Sequence, residues 1–303
     1  MKKNNFFYHN PVLLEKSVCE LITDPNGIYI DVTYGGGGHS KEVLCRLSKK
    51  GKLYAFDQDD DAKKNLINDK RFFFINSNFK HLKRLLNNLN IYQVNGIIAD
   101  FGVSSHQIDK PSRGFSLMKD GPLDMRMNKG SNLMAENVVN EYNETELYKI
   151  LKDYGEVSKP TEIVNKIVSH REVKPIKSTM DLVNAVENSL NKFSKYKILA
   201  KIFQSIRIEV NNELEAIKQF LLQASEIIKS KGRMVCISYH SLEDRLVKNF
   251  VRNGSFDNQD NRDFFGNVKK PFKKIGGLII PDVEEIKKNK RARSAKMRIA
   301  EKL

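Results

Sequence analysis

The sequence predicts an α/β fold in which a parallel sheet is covered on both faces by helices and interrupted by a helical insertion. Three observations predict it. Short apolar runs alternate with amphipathic stretches through the first hundred residues, and four consecutive glycines, Gly35 to Gly38, follow the first apolar run directly. Some 130 residues then separate the fourth apolar run from the fifth, far more than an αβ connection needs.

In chain order, the strand-like runs are "IYIDVTYG" (28–35), "KLYAFDQD" (52–59), "RFFFINSNF" (71–79) and "VNGIIADFG" (94–102). Helix-like segments at 39–49, 60–68 and 79–89 lie between them. Residues 144–153, 161–170, 179–193 and 195–206 carry helical periodicity without a convincing strand, which sets an inserted helical domain at 108–207. After it, 211–229 places apolar residues on one helix face and "GRMVCISY" (232–239) reads as a buried strand beside the fourth. A discontinuous domain of 1–107 and 208–303 follows, with 252–275 as a polar surface loop.

The chain has 303 residues and a formal net charge of +15, and residues 268–303 hold twelve Lys or Arg against four Asp or Glu. Such a surplus attracts polyanions through phosphate neutralisation, so nucleic acid is the expected large partner. No stretch approaches the roughly 20 apolar residues that span a bilayer, no export signal is evident, and Cys19, Cys45 and Cys236 form no C-x-x-C pair. These features favour the cytoplasm and no membrane partner. Six histidines without H-E-x-x-H spacing give no case for a metal.

In an open parallel sheet a ligand sits beyond the carboxyl ends of the strands, and glycines after the first strand let it approach the backbone. A triphosphate loop needs a lysine followed by Ser or Thr after its last glycine, and none closes this run. A dinucleotide fits loosely, because Ser40 stands where a third glycine or alanine belongs. S-adenosylmethionine fits as well. Asp57, at the end of the second strand, suits ribose hydroxyls in either ligand.

Longer strings resolve the choice by resemblance. "HNPVLLEKSV" (9–18), "DVTYGGGGHS" (31–40), "DFGVSSHQID" (100–109), "RGFSLMKDGPLDMRM" (113–127), "FQSIRIEVNNEL" (203–214), "GRMVCISYHSLEDRLVKNF" (232–250) and "NKRARSAKMRIAEK" (289–302) run in order along the chain. Together they resemble the bacterial 16S rRNA cytosine-N4 methyltransferases of the small-subunit methyltransferase H, or MraW, family. The resemblance implies a class I (Rossmann-like) S-adenosylmethionine-dependent methyltransferase with an inserted helical domain, acting on 16S rRNA within the small ribosomal subunit. It implies methylation of the exocyclic amine of a cytidine in the decoding centre, at the P site. It carries cofactor binding onto Gly37, Gly38, His39, Asp57, Phe79, Asp100 and Gln107, with His106 where the family often has proline.

Cytosine's amine is a poor nucleophile, so acceptors are needed near the transferred methyl group, and Asp100 at the fourth strand's end is the candidate catalytic residue. DNA amino-methyltransferases usually carry two prolines at this strand end, and "DFGVSS" has none. Arg113 and Arg126 are expected either on RNA or in ion pairs with Asp120 or Asp124. Arg291, Arg293, Lys296 and Arg298 are expected on RNA phosphates, with a solvated surface as the alternative. His240 is expected as a buried, hydrogen-bonded histidine, with proton handling as the alternative.

Overall fold

The protein is described here by a computed structural model covering residues 11–187, 190, 193–257, 266 and 270–303. The first ten residues, the middle of the expected loop 252–275 and part of the end of the expected helix 179–193 lie outside the described residues. In chain order the elements are α1 (Leu14–Leu21), β1 (Ile28–Asp31), α2 (Gly38–Arg46), β2 (Lys52–Asp57), β3 (Phe72–Asn76), α3 (Leu82–Asn88) and β4 (Val94–Asp100). Then come α4 (Ser105–Asp109), α5 (Ala135–Glu141), α6 (Glu144–Asp153), α7 (Pro160–Val173), α8 (Thr179–Glu187), α9 (Lys195–Asn211) and α10 (Glu213–Ile227). The chain continues with β5 (Ile228–Ser238), α11 (Ser241–Asn253), β6 (Phe272–Ile279), α12 (Val283–Lys288) and β7 (Lys296–Lys302).

The chain divides into two compact units, one of Met1–Gly102 with Leu214–Leu303 and one of Val103–Glu213. The division falls five residues before and six after the limits of 108 and 207 read from the sequence.

In the first unit seven strands form one sheet of order β3-β2-β1-β4-β5-β7-β6. Strands β1 to β5 pair in parallel, whereas β7 is antiparallel to both β5 and β6. Strand order reverses at β1, where β2 lies on one side and β4 on the other, and ligands of open α/β sheets sit at such a point. Burial on both faces explains why β4 reads as a continuous apolar run: six of its seven residues are buried. Ile30, Phe56, Ile97, Phe220 and Phe250 fill one side of the sheet, and Tyr29, Leu53, Ile98 and Val235 the other.

The first five strands fall within the runs read from the sequence or overlap them. The expected helix 60–68 is instead a 3₁₀ turn, Asp60–Asn65, capped by Asp59 accepting from the Asp61 N–H. Leu66 is half exposed, so the segment lacks the apolar stripe that holds a longer helix to a core. Strands β6 and β7 were not foreseen. Their Lys, Arg and Gly content resembles a basic surface, yet Met297 and Ile299 alternate into the core and make β7 an interior strand.

The second unit is built from α4 to α9 around its own core, in which Val138, Leu147, Ile167, Val186, Ile202 and Ile206 are buried. Helix α6 starts with a capping box: Asn143 Oδ1 accepts the Glu146 N–H at 3.0 Å, and Glu146 Oε2 accepts the Asn143 N–H at 2.9 Å. No helix among the described residues is long and apolar enough to cross a membrane.

Candidate active site

Three neighbouring central strands, β2, β1 and β4, each end in an aspartate: Asp57, Asp31 and Asp100. Burial pushes all three carboxyls up to about 6. Asp31 repels both of the others, so the three resist ionisation together.

Each acid is held by the loop between β1 and α2. Asp31 is 1% exposed; its Oδ2 accepts the Ser40 hydroxyl at 2.7 Å and its Oδ1 the Thr33 N–H at 3.1 Å. Ser40 therefore stands in place of a third glycine because it ties the first turn of α2 to the end of β1. Asp57 Oδ2 accepts the Gly35 N–H at 2.7 Å and Oδ1 the Asp59 N–H at 2.8 Å. One lone pair remains on each oxygen, which matches a pair of vicinal hydroxyls.

The glycines turn out to serve the protein's own packing. Gly37 has φ +75°, and a Cβ there would lie 2.7 Å from the Tyr34 hydroxyl oxygen. At Gly38 a Cβ would fall 2.0 Å from Pro11 Cγ. The expectation that absent side chains make room directly for a ligand is thus corrected at these two positions: Tyr34 and Pro11 occupy that room, and the tight loop they permit carries the Gly35 N–H to Asp57.

Asp100 lies at the carboxyl edge with its side chain 22% exposed. Its Oδ1 accepts the Tyr239 hydroxyl at 2.9 Å, and its backbone N–H donates to Thr33 Oγ1 at 2.7 Å. Its Oδ2 is 3.9 Å from His39 Nδ1. Burial pushes His39 below its ordinary value against the pull of Asp100, so the ring is neutral at pH 7. His39 Nε2 lies 3.2 Å from the Val12 carbonyl oxygen. A carbonyl only accepts, which assigns the proton to Nε2 and leaves a lone pair on Nδ1. Two acceptors, Asp100 Oδ2 and His39 Nδ1, therefore converge without a donor of their own between them.

Phe79 is partly exposed beyond β3 and packs on Phe101 and Phe220, with ring centroids 6.2 and 5.8 Å away. The first unit thus brings Gly37, Gly38, His39, Asp57, Phe79 and Asp100 to the carboxyl edge of β1 to β4. Gln107 belongs to the second unit, where it is buried and closes a capping box, its Oε1 accepting the Ser104 N–H at 3.0 Å.

Several expected RNA contacts are corrected. Arg113 is 1% exposed, and its Nη2 donates to the carbonyls of Arg126 and Met127 at 2.9 and 3.1 Å; it is an internal clamp. Arg126 takes the ion-pair alternative, with Nε and Nη2 on Asp124 at 2.7 and 3.0 Å and Nη1 on the Lys129 and Ser131 carbonyls. Arg298 is engaged by both oxygens of Asp244, at 2.7 and 3.0 Å. Arg291 and Arg293 lie in a 3₁₀ turn, Lys290–Ser294, and Lys296 opens β7; Arg293 is exposed and the other two partly so. His240 is largely buried with Nε2 3.1 Å from Glu243 Oε1.

The sequence reading missed Asp31, Tyr239 and Glu243. An apolar run ending in aspartate was available for Asp31, the same signal that marked Asp57 and Asp100. Tyr239 meets Asp100 across 139 residues of sequence, and nothing local announces that contact.

A site holding three raised carboxyls, one of them with a lone pair left on each oxygen, and an aromatic wall suits a ligand that is cationic, carries a ribose and ends in a flat base. S-adenosylmethionine has these features, and its sulfonium charge offsets the repulsion among the acids. With the parallel sheet and its reversed penultimate strand, the site defines a class I S-adenosylmethionine-dependent methyltransferase. The profile of the MraW methylase family matches residues 6–303, and the chain belongs to that family. It is 54% identical over 296 residues to the "Ribosomal RNA small subunit methyltransferase H" of Christiangramia forsetii, covering 98% of each chain. A protein of the same name from Flavobacterium johnsoniae is 54% identical over 296 residues, again at 98% of each, and one from Bacteroides fragilis is 46% identical over 303 residues and the whole of both.

Proposed function

We propose that the protein methylates the exocyclic N4 amine of a cytidine in the decoding centre, at the P site of 16S rRNA, and acts on the small ribosomal subunit. The observation that carries this reading is the pair of converging acceptors, Asp100 Oδ2 and His39 Nδ1, 3.9 Å apart at the carboxyl edge of the sheet. An aromatic amine has two protons to donate and a lone pair drawn into its ring. Acceptors on those protons return electron density to nitrogen and fix its direction.

S-adenosylmethionine supplies the activated methyl group when bound. Asp57 would hold its ribose, Phe79 would flank its base, and Gly37, Gly38 and His39 would shape its binding edge. Transfer of that methyl group to the amine nitrogen, with the thioether as leaving group, would leave the nitrogen one proton to shed. Asp100 holds that proton in transit to solvent, which its partly exposed edge position allows. The relatives' names, the net charge of +15 and the absent proline pair favour ribosomal RNA over DNA or a small metabolite. We assign the helical unit 103–213 to recognition of that RNA, and Arg291, Arg293 and Lys296 to phosphate contact.

The test uses small subunits from cells lacking this chain, incubated with the protein and labelled S-adenosylmethionine. Nucleoside mass spectrometry is expected to find the label in N4-methylcytidine from the decoding centre. Label in another nucleoside, or none while the donor binds, overturns the reading.

A further inference from the structure

Helix α11, "SLEDRLVKNFVRN", sorts its charges by burial. Its two acids are withdrawn from solvent: Glu243 is 0% and Asp244 9% exposed. Glu243 accepts the Tyr239 N–H at 2.7 Å, and Asp244 is committed to Arg298. The three cations of the helix, Arg245, Lys248 and Arg252, are all exposed. Spacings of three and four residues set them on one face in successive turns.

Other helices of the same unit do not segregate charge this way. Arg46 pairs with Glu42 at 2.8 Å, Lys287 with Glu284 at 2.8 Å and Lys218 with Glu215 at 3.7 Å. Among the described residues, no acid pairs with Lys248 or Arg252. The helix dipole accounts for a cation in the last turn, where Arg252 sits, but not for Lys248 in mid-helix.

On its buried side the helix packs against the sheet. Phe272 of β6 packs on Phe250 of α11 with ring centroids 6.3 Å apart, and Lys302 Nζ lies 6.0 Å over the Phe272 ring. Strand alternation puts the exposed Lys274 on the same side as Phe272. At its other end α11 begins two residues after Tyr239, the partner of Asp100. The cations therefore extend away from the reacting edge.

We propose that Lys248 and Arg252 bind the phosphate backbone of the substrate RNA that flanks its target nucleotide. The proposal rests on the rRNA reading above and adds a surface that neither family membership nor the basic C-terminal stretch assigns. The outward face of α11 consists of Ser241, Arg245, Lys248 and Arg252 and presents no exposed apolar residue. It thus offers a protein partner no anchor and a lipid surface nothing to insert, whereas a row of phosphates needs only the charges.

The test is co-sedimentation of the double variant K248Q/R252Q with small subunits across a salt series. Affinity is expected to fall roughly tenfold, and the slope of log affinity against log salt to become shallower by about 1.5. Donor affinity by calorimetry and kcat at saturating subunits stay as in the parent protein, while KM for subunits rises. K248R/R252K, which restores both charges, recovers binding. Lys287→Gln with Lys288→Gln removes the same charge from α12 and leaves binding unchanged. Parent-like behaviour of K248Q/R252Q, or equal weakening by the α12 variant, overturns the proposal. So does a loss seen with subunits but not with protein-free 16S rRNA, which would assign the face to an acidic ribosomal protein. The modified nucleoside is read separately on the parent protein, so failure of the N4 assignment and failure of this surface give different results.

Discussion

Asp100 divides its work between its two oxygens. Oδ1 is occupied by the Tyr239 hydroxyl, which leaves Oδ2 to act as an acceptor beside His39 Nδ1. Asp100→Asn keeps the shape and the Tyr239 contact but removes the charge, so kcat for small subunits should drop about 10²–10³-fold with the fold intact, as single-turnover labelling and thermal melting would show. The carboxyl sits at about 6, so acceptance requires pH above that value. Activity should rise through pH 6 and lose about tenfold for each unit below it. Tyr239 lowers the Asp100 value by its hydrogen bond, and Tyr239→Phe should therefore move this acid limb to higher pH. An unshifted limb would remove Asp100 as the titrating group. At this scale the sequence was informative wherever an apolar run stopped on an acid, as at Asp57 and Asp100. It was silent on Tyr239 because the contact is made only when β4 and β5 pair.

At the scale of elements, the loop before α2 and the clamp around Arg113 show how local sequence becomes rigid geometry. Gly37→Ala meets both a left-handed backbone and the Tyr34 hydroxyl. Its cost should be roughly 1–2 kcal/mol from the backbone alone, read as a Tm lowered by several degrees. Arg113→Met leaves the Arg126 and Met127 carbonyls without a buried donor and should destabilise the helical unit by roughly 2–4 kcal/mol in denaturant titration. Its RNA affinity per folded molecule should not change, in contrast to the α11 double variant. From sequence Arg113 is expected on RNA or in an ion pair with Asp120 or Asp124; its burial depends on a loop folding back over it, which periodicity does not encode. Helices α6, α7 and α9 were readable because each carries an amphipathic stripe. Strands β6 and β7 were not, because their outward positions are filled with Lys, Arg and Glu.

At the scale of the molecule, charge and topology are coupled. The basic C-terminal residues are part of the sheet: β7 lies between β5 and β6, and Arg298 is spent on Asp244. Among the described residues, cations turned outward by the 3₁₀ turn Lys290–Ser294, by the sheet and by α11 remain open to polyanions. Deleting residues 296–303 should abolish cooperative unfolding of the first unit, seen as loss of its near-UV signal and of donor binding, because β5 loses one partner and β6 its only one among the described residues. Retention of a cooperative melt would show that the parallel strands suffice.

The placement of β7 also bears on how the protein is made. A strand translated well after β5 fills the slot beside it, so β5 leaves the exit tunnel with a bare edge and keeps it until β7 has followed. The nascent chain spends that interval exposed to edge-to-edge association, and slowing translation over the codons between β5 and β7 should raise its demand for chaperones.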